Sequence, residues 1–542
     1  MLKFYTHLDT KSGEEWIETS LQGKAVLSTP LLNKGTAFSE QERLALKLLG
    51  KLPYRIETLD EQVARAKTQF KRYENVLQKY IYLNNLRDKN EVLFYKLLSE
   101  NLAETLPLIY TPGVSTAVKE FSHEFRQPRG LYFSYPDRER MGEILDNRTH
   151  AEIDVIVATD GERILGIGDQ GIGGMDIPLA KLVVYSLCGI NPYKALPIML
   201  DVGTDNPNLL NNPLYLGWRH PRIKGEAYDE FIKKFVHTVH QKFPKCLLHW
   251  EDFAQQNARR ILETYRTQHC TFNDDMQGTG VITLAALLSA IQKTQRPFKD
   301  HRIVVFGAGT AGVGIADQIY GALLREGISP EVARKQFWLV DRPGLLTEDS
   351  SNIMGFQQPY VRASHEAQND LFAVVKAVKP TILIGCSTVK NAFSEEIVRE
   401  MAKEVEYPII FPLSNPTDNC ECDPGLLLEW TQHKALVATG SPFENVAQCN
   451  NALAFPGIGL GAIASRATQV TDNMLWAAAT AIAKYSKHSL LPAITEIQPL
   501  SHEVANAVAA QAVADGVATV TPHVAQNIWR PYYRTIKFKA QS

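Results

Sequence analysis

The sequence predicts an α/β protein: a helical N-terminal region followed by two domains built on parallel sheets. Three observations carry this. From residue 152 onward, short apolar runs of strand length alternate with helical patterns, as expected for buried parallel strands covered by helices. Residues 303–312 (IVVFGAGTAG) run from an apolar strand into Gly-x-Gly-x-x-Gly, a turn that opens a helix. The length, 542 residues, exceeds what one hydrophobic core holds, so two or three domains are expected.

Residues 40–106 read as helical. Leu and Ile recur at helical spacing among Glu, Lys and Arg in 41–49 and 61–85, and few β-branched runs interrupt them. Tyr110-Thr111-Pro112-Gly113 ends that region, because Pro and Gly do not continue a helix. Residues 152–159 (EIDVIVAT) form the next apolar strand, ending at Asp160-Gly161. RILGIG (163–168) and a Gly-rich turn follow, then a helix over 178–187 and strands over 195–202 and 247–250. An apolar helix over 277–292 bridges to the last sheet. Its strands are predicted at 302–306, 336–340, 381–385, 408–413 and 436–439, with an Ala-rich helical tail from about 470. Four regions result: 1–110 helical, 111–276 a substrate and metal domain, 277–470 a nucleotide domain, and 471–542 a C-terminal helical region. No internal repeat or low-complexity segment interrupts them.

Bulk composition excludes several functions. A hydrophobic content of 45% and a charged content of 21% suit a soluble enzyme. A net charge of −2 without a basic stripe argues against nucleic acid as a partner. No apolar run approaches the roughly 18–20 residues that span a bilayer. Residues 1–35 lack the apolar core of a secretory signal. The seven cysteines form no CxxC pair, and Cys420-x-Cys422 is too close for ordinary zinc spacing. Reduced thiols in a cytoplasmic protein are expected.

The fingerprint places a dinucleotide. Gly307 permits the tight turn, Gly309 lets a pyrophosphate approach the backbone, and Gly312 permits close helix packing. The helix N-terminus adds free N–H groups and partial positive charge. The region is therefore a Rossmann-type domain, with Gly307, Ala308, Gly309, Thr310, Ala311 and Gly312 facing the cofactor. Asp341 ends the next strand, where an acid holds both ribose hydroxyls and repels a 2′-phosphate, favouring NAD. Its spacing exceeds the usual roughly twenty residues, so a longer helix and loop are expected through 326–335. Arg342, next in sequence, is a residue type that accommodates that phosphate.

Upstream lie two acidic pairs, Glu251-Asp252 and Asp274-Asp275, each after a short apolar or aromatic segment. A hard cation such as Mg²⁺ or Mn²⁺ takes oxygen ligands in octahedral geometry. Three carboxylates would leave positions for a bidentate α-hydroxy acid; solvated turn acids are the alternative. Lys181, amid apolar residues, can have a lowered pKa and act as a base; by spacing alone it reads as a surface Lys with a buried stem. Tyr110 is either a general acid or a core phenol.

These motifs resemble the malic enzyme family nearly end to end and in order. The matching segments include LNKGTAF (32–38), Tyr110-Thr111-Pro112, DGERILGIGDQGIGG (160–174), LYLGWR (214–219), Trp250–Phe253, Phe272–Gly278, Gly307–Gly312, PLSNPT (412–417) and QCNNALAFPGIGLG (448–461). The chain is most similar to the bacterial NAD-linked branch. The resemblance implies oxidative decarboxylation of malate to pyruvate, with NAD and Mg²⁺ or Mn²⁺, by a homodimer or homotetramer. It implies Tyr110 as general acid, Lys181 as general base and Asp274 as the acid assisting it. It implies Arg163 on the substrate carboxylate near the nicotinamide, and Glu251, Asp252 and Asp275 as metal ligands. It further implies that Asn415, Asn450 and Asn451 contact substrate or cofactor. Gly113, Asp176 and Ala180 depart from the family pattern, and Asp176 adds an acid near the substrate loop. The rival readings are malolactic enzyme, which releases lactate and retains NAD, and a catalytically silent protein of this fold.

Overall fold

The computed structural model describes residues 4–9, 15–342 and 344–540. Parts of the N-terminal stretch searched for a signal, residues 1–3 and 10–14, lie outside the described residues. Two parallel sheets dominate. The first orders its strands Leu131–Ser134, Ala195–Asp201, Val155–Thr159, Leu247–Trp250 and Thr271–Asn273, all parallel. Val155–Thr159 and Leu247–Trp250 are buried at every position. Unbroken apolar runs of this kind belong to strands covered on both faces.

The second sheet runs Gly344–Leu345, Phe337–Asp341, Ile303–Phe306, Ile382–Gly385, Ile409–Pro412, Leu436–Thr439 and Ala447–Gln448. All neighbours are parallel except the first pair. Strand order reverses between Ile303–Phe306 and Ile382–Gly385, which creates the crevice where such sheets bind ligands. The helix Thr279–Thr294 joins the sheets and packs on Thr310–Arg325 and on Asp472–Tyr485. Phe455–Ala464 packs on Ile497–Ala514. One apolar core runs through Val157, Val183, Leu284, Val305, Ile458 and Val504, so both sheets share it.

Predicted strands and helices from 152 to 439 recur within a few residues. The N-terminal helices are shorter and more numerous than the two periodic blocks imply: Glu40–Ala45, Leu59–Phe70, Val76–Lys89, Glu91–Glu100 and Leu102–Ile109. A further helix, Val114–Glu124, follows the Tyr110–Gly113 turn. The first region is not purely helical. Phe4–Leu8 pairs antiparallel with Glu15–Thr19, which pairs parallel with Thr535–Phe538 from the tail. A three-stranded sheet thus joins the two ends of the chain, a pairing that local periodicity does not encode. All seven cysteines are free thiols, and no helix among the described residues is long and apolar enough to cross a membrane.

Candidate active site

Three adjacent strands of the first sheet deliver Arg163 and the two acidic pairs. Val155–Thr159 leads into the loop carrying Arg163, Leu247–Trp250 into Glu251-Asp252, and Thr271–Asn273 into Asp274-Asp275. All three emerge at carboxyl ends, where open parallel sheets bind ligands. Asp274–Gly278 is a single π-helical turn before Thr279–Thr294, a widened turn frequent at functional sites. Gly278 is required there: a Cβ would lie 1.8 Å from Asp274 Oδ1.

Lys181 lies on the helix Asp176–Leu187, every residue of which is buried. Its ammonium bonds to Asp274 Oδ2 and lies 2.9 Å from Glu251 Oε1. It also sits over the rings of Phe455, at 4.7 Å, and Tyr110, at 5.4 Å. Lys181 is neither a surface lysine nor one with a lowered pKa. Burial alone would push it down, but the neighbouring Asp274 and Glu251 carboxylates outweigh burial and hold the proton well above the ordinary lysine value. An unpaired buried ammonium would cost several kcal/mol, so the two acids are what allow a lysine in this helix. Burial raises the Tyr110 phenol, and nearby Lys181 opposes it.

Asp252, two residues beyond its strand, has φ 58°, a left-handed conformation costing roughly 1–2 kcal/mol for a non-glycine residue. Two backbone bonds hold it. Its N–H donates to Asp275 Oδ2 at 2.8 Å, and its carbonyl accepts from the Arg163 N–H at 3.0 Å. The strained residue thus fixes the second acidic pair and the Arg163 loop together. The Arg163 guanidinium is exposed and has no acidic partner among the described residues, leaving it available to a carboxylate.

Glu251, Asp252 and Asp275 offer oxygens within 4.8 Å of one another. Burial raises all three: Glu251 to about 7, with Lys181 opposing and Asp274 adding, and Asp252 and Asp275 further, with repulsion from each other's or Glu251's charge. Three crowded carboxylates with hard oxygen donors fit a divalent cation. Protons would otherwise have to relieve their repulsion.

Behind Glu251 runs a polar chain that sequence reasoning missed. Tyr185 Oη meets His249 Nδ1 at 2.8 Å, and His249 Nε2 meets Glu251 Oε2 at 2.9 Å. Burial lowers His249 to about 3, so the ring is neutral and bridges the Tyr185 phenol and the Glu251 carboxyl, one ring nitrogen donating and the other accepting. The signal was present: His249 lies two residues before Glu251 at the end of a strand, a spacing that puts both on one face while the backbone stays extended, and Tyr185 is one helical turn beyond Lys181.

Asn451 Nδ2 donates to the Asp274 carbonyl and to Asp274 Oδ2, both at 3.2 Å, which brings it to the lysine cluster. Asn450 instead caps the next turn, its side chain accepting from the Ala452 N–H at 3.0 Å. Asn415 is held by Ser441, whose hydroxyl donates to its side-chain oxygen at 2.5 Å. Asp176 does not join this site. It faces a pocket with Tyr80, Asn84, Arg129 and Tyr132, and burial raises it to about 6 against the pull of Arg129. Its raised carboxyl stabilises the fold most at low pH, and that contribution is lost as pH rises through about 6. Asp176→Asn is therefore expected to gain thermal stability relative to wild type between pH 5 and 8, with malate KM within twofold. A constant difference in melting temperature across that range would contradict this.

In the second sheet, Gly307 has φ 102°, and a Cβ on it would lie 2.5 Å from the Cys386 carbonyl carbon. A Cβ on Gly312 would lie 2.0 Å from Gly307 O. Only glycine fits either position. A Cβ on Gly309 would meet only the end of the Gln255 side chain, so this backbone is open to a ligand. The helix Thr310–Arg325 starts at Gly309 without a side-chain cap, leaving its first N–H groups to an anion. Ala308 is wholly buried, its carbonyl accepting from Gln357 Nε2 at 2.7 Å. Thr310 is buried on the first turn, beside Ala311. Asp341 ends the strand Phe337–Asp341 beside Ile303–Phe306 and accepts from the Arg342 N–H at 2.8 Å.

Comparison with known proteins agrees with this architecture. Residues 87–266 match the model for "Malic enzyme, N-terminal domain", and residues 276–513 that for "Malic enzyme, NAD binding domain". The chain is 47% identical to "NAD-dependent malic enzyme 3" of Bacillus subtilis (strain 168), covering 96% of this chain and 98% of that protein. It is also 47% identical to an NAD-dependent malic enzyme of Shewanella sp. (strain MR-4), covering 95% and 97%. Among solved structures it is similar to malic enzyme from Pyrococcus horikoshii Ot3, with TM-score 0.56, 26% identity and coverage of 78% and 87%. The Entamoeba histolytica malic enzyme gives the same score and identity, with 89% of each chain covered. With both domain models matched and near full-length identity at this level, the chain belongs to the malic enzyme family.

Proposed function

We propose that this protein oxidatively decarboxylates (S)-malate to pyruvate and CO₂ with reduction of NAD, using a divalent cation held by Glu251, Asp252 and Asp275. The observation that carries this is the convergence of Lys181, Tyr110 and two acidic pairs at adjacent strand ends of one sheet. When bound, NAD supplies the hydride acceptor, and the cation polarises the C2 oxygen and offsets the carboxylate charge around Lys181.

The residues then divide the work. Arg163 pairs with a malate carboxylate and orients it. Lys181 removes the C2 hydroxyl proton as hydride leaves C2; Asp274 keeps the amine aimed and assists the transfer. Tyr110, beside Lys181, delivers a proton to C3 after CO₂ departs. Asn415, Asn450 and Asn451 supply amides around substrate and cofactor, and Asn451 also fixes Asp274. The buried rings of Phe455 and Tyr110 keep water from the lysine, which strengthens each charge interaction there.

The test is product analysis with malate, NAD and Mn²⁺. Pyruvate and NADH should form in equal amounts; lactate without net NADH would identify a malolactic enzyme instead. NAD is expected over NADP because Asp341 would place like charge against a 2′-phosphate. Asp341→Ser should narrow the kcat/KM ratio between the cofactors by about tenfold, equivalent to 1.4 kcal/mol, leaving Arg342 free to pair with the phosphate. An unchanged ratio would move the discriminating residue elsewhere. The free thiols support a reducing compartment such as the cytoplasm. Exposed Leu44, Leu49, Tyr54 and Ile56 in one short stretch support burial in a homodimer or homotetramer. Sedimentation at the monomer mass would contradict that.

A further inference from the structure

Glu421 is a wholly buried carboxylate with no salt bridge among the described residues. Four donors hold it instead. Oε1 accepts from the Ser387 N–H at 2.8 Å, the Ser387 hydroxyl at 2.9 Å and the Ser414 hydroxyl at 2.5 Å. Oε2 accepts from the Ser414 N–H at 3.2 Å. Gly385 leaves the room this needs, since a Cβ there would lie 2.6 Å from the Glu421 carboxyl carbon.

The two serines belong to different loops. Ser387 follows the strand Ile382–Gly385, and Ser414 follows Ile409–Pro412, its neighbour in the sheet. Ser414 Oγ also accepts from the Thr388 N–H at 2.9 Å, so the loops are tied twice. Each loop reaches the crevice. The Ser387 loop packs on the first fingerprint glycine: a Cβ on Gly307 would lie 2.7 Å from Ser387 N. The Ser414 loop continues into Asn415 and Pro416. Pro416 packs on the Arg163 loop, since a Cβ on Gly166 would lie 2.9 Å from its Cδ. A single acid beneath the crevice therefore sets the spacing between the dinucleotide turn and the segment that presents Asn415.

We infer that Glu421 is a positioning residue for cofactor and substrate, acting through Ser414 on Asn415 and touching neither ligand itself. A carboxylate suits the task because it accepts at both oxygens, and bonds to an ionised acceptor are roughly twice as strong as neutral ones. Glutamine would place an amide donor among four donors. The inference rests on the proposed role of Asn415 in binding substrate or cofactor, and the experiment separates the two.

The experiment is a double-mutant cycle of Glu421→Gln and Asn415→Ala in the full chain, measuring kcat and the KM values for NAD and malate with Mn²⁺. Glu421→Gln should raise the NAD KM and lower kcat, each by roughly tenfold, about the effect of a lost charge-assisted bond. In the Asn415→Ala background it should add less than twofold, because coupled residues are not additive. If Asn415→Ala alone changes nothing, the role of Asn415 fails. If Asn415→Ala is impaired but Glu421→Gln multiplies that defect independently, or is itself normal, the role of Glu421 fails. A merely structural acid would lower the active fraction, reducing apparent kcat with both KM values unchanged, and that result also overturns the inference. Should Glu421→Gln not fold, Ser414→Ala removes one hydroxyl from the same clamp and must show the same coupling to Asn415→Ala; independence there is equally fatal.

Discussion

Lys181→Ala is expected to lower kcat by about 10²–10⁴-fold, the usual worth of a positioned base, with malate KM changed only a few-fold. An interaction made only in the transition state is lost from kcat and not from binding. Lys181 is also the cation between Asp274 and Glu251, and removing it leaves buried acids uncompensated, a loss of roughly 3–5 kcal/mol. Lys181→Arg separates the two effects. Arginine retains a cation but does not release its proton, so a base role leaves Lys181→Arg as slow as Lys181→Ala. Recovery of kcat in the arginine variant would reduce Lys181 to a charge partner and would refute proton removal by this residue.

Asp275→Ala is expected to be as inactive as metal-free enzyme even at high Mn²⁺. Losing a group that merely supports a metal ligand costs roughly 10–100-fold, and losing a ligand should cost more. Asp275 has a second task, because its Oδ2 accepts the N–H of the left-handed Asp252. Asp275→Asn retains an acceptor for that N–H but lacks the charge. If the acid acts as a ligand, the asparagine variant is as impaired as the alanine one. If it only braces Asp252, asparagine restores most activity, which would contradict the cation assignment.

The site was unevenly legible in sequence. Positions defined by chain-local geometry read well. Gly307 and Gly312 are glycines because neighbouring backbone fills the space of a Cβ, and the acidic pairs stand out because each follows a strand. The raised pKa of Lys181 did not read from its neighbours along the helix, which are apolar; Asp274, 93 residues away, entered only through the family resemblance. Asp176 looked close to the substrate loop in sequence but lies on another side of the helix, with Tyr80 and Arg129. The sheet formed by Phe4–Leu8, Glu15–Thr19 and Thr535–Phe538 was hidden for the same reason. Its strands are only four or five residues long, and the last of them pairs with a partner at the other end of the chain. Glu421 lies between Cys420 and Cys422, a spacing that drew notice only for its cysteines, and only the fold shows four donors converging on it.

The most direct test of the account is NADH production from malate and NAD before and after exhaustive chelation, with Mn²⁺ then restored. The crowding of Glu251, Asp252 and Asp275 within 4.8 Å predicts that turnover disappears on chelation and returns with Mn²⁺, with one pyruvate formed per NADH. Undiminished turnover in the chelated enzyme would contradict the cation-assisted mechanism at its centre.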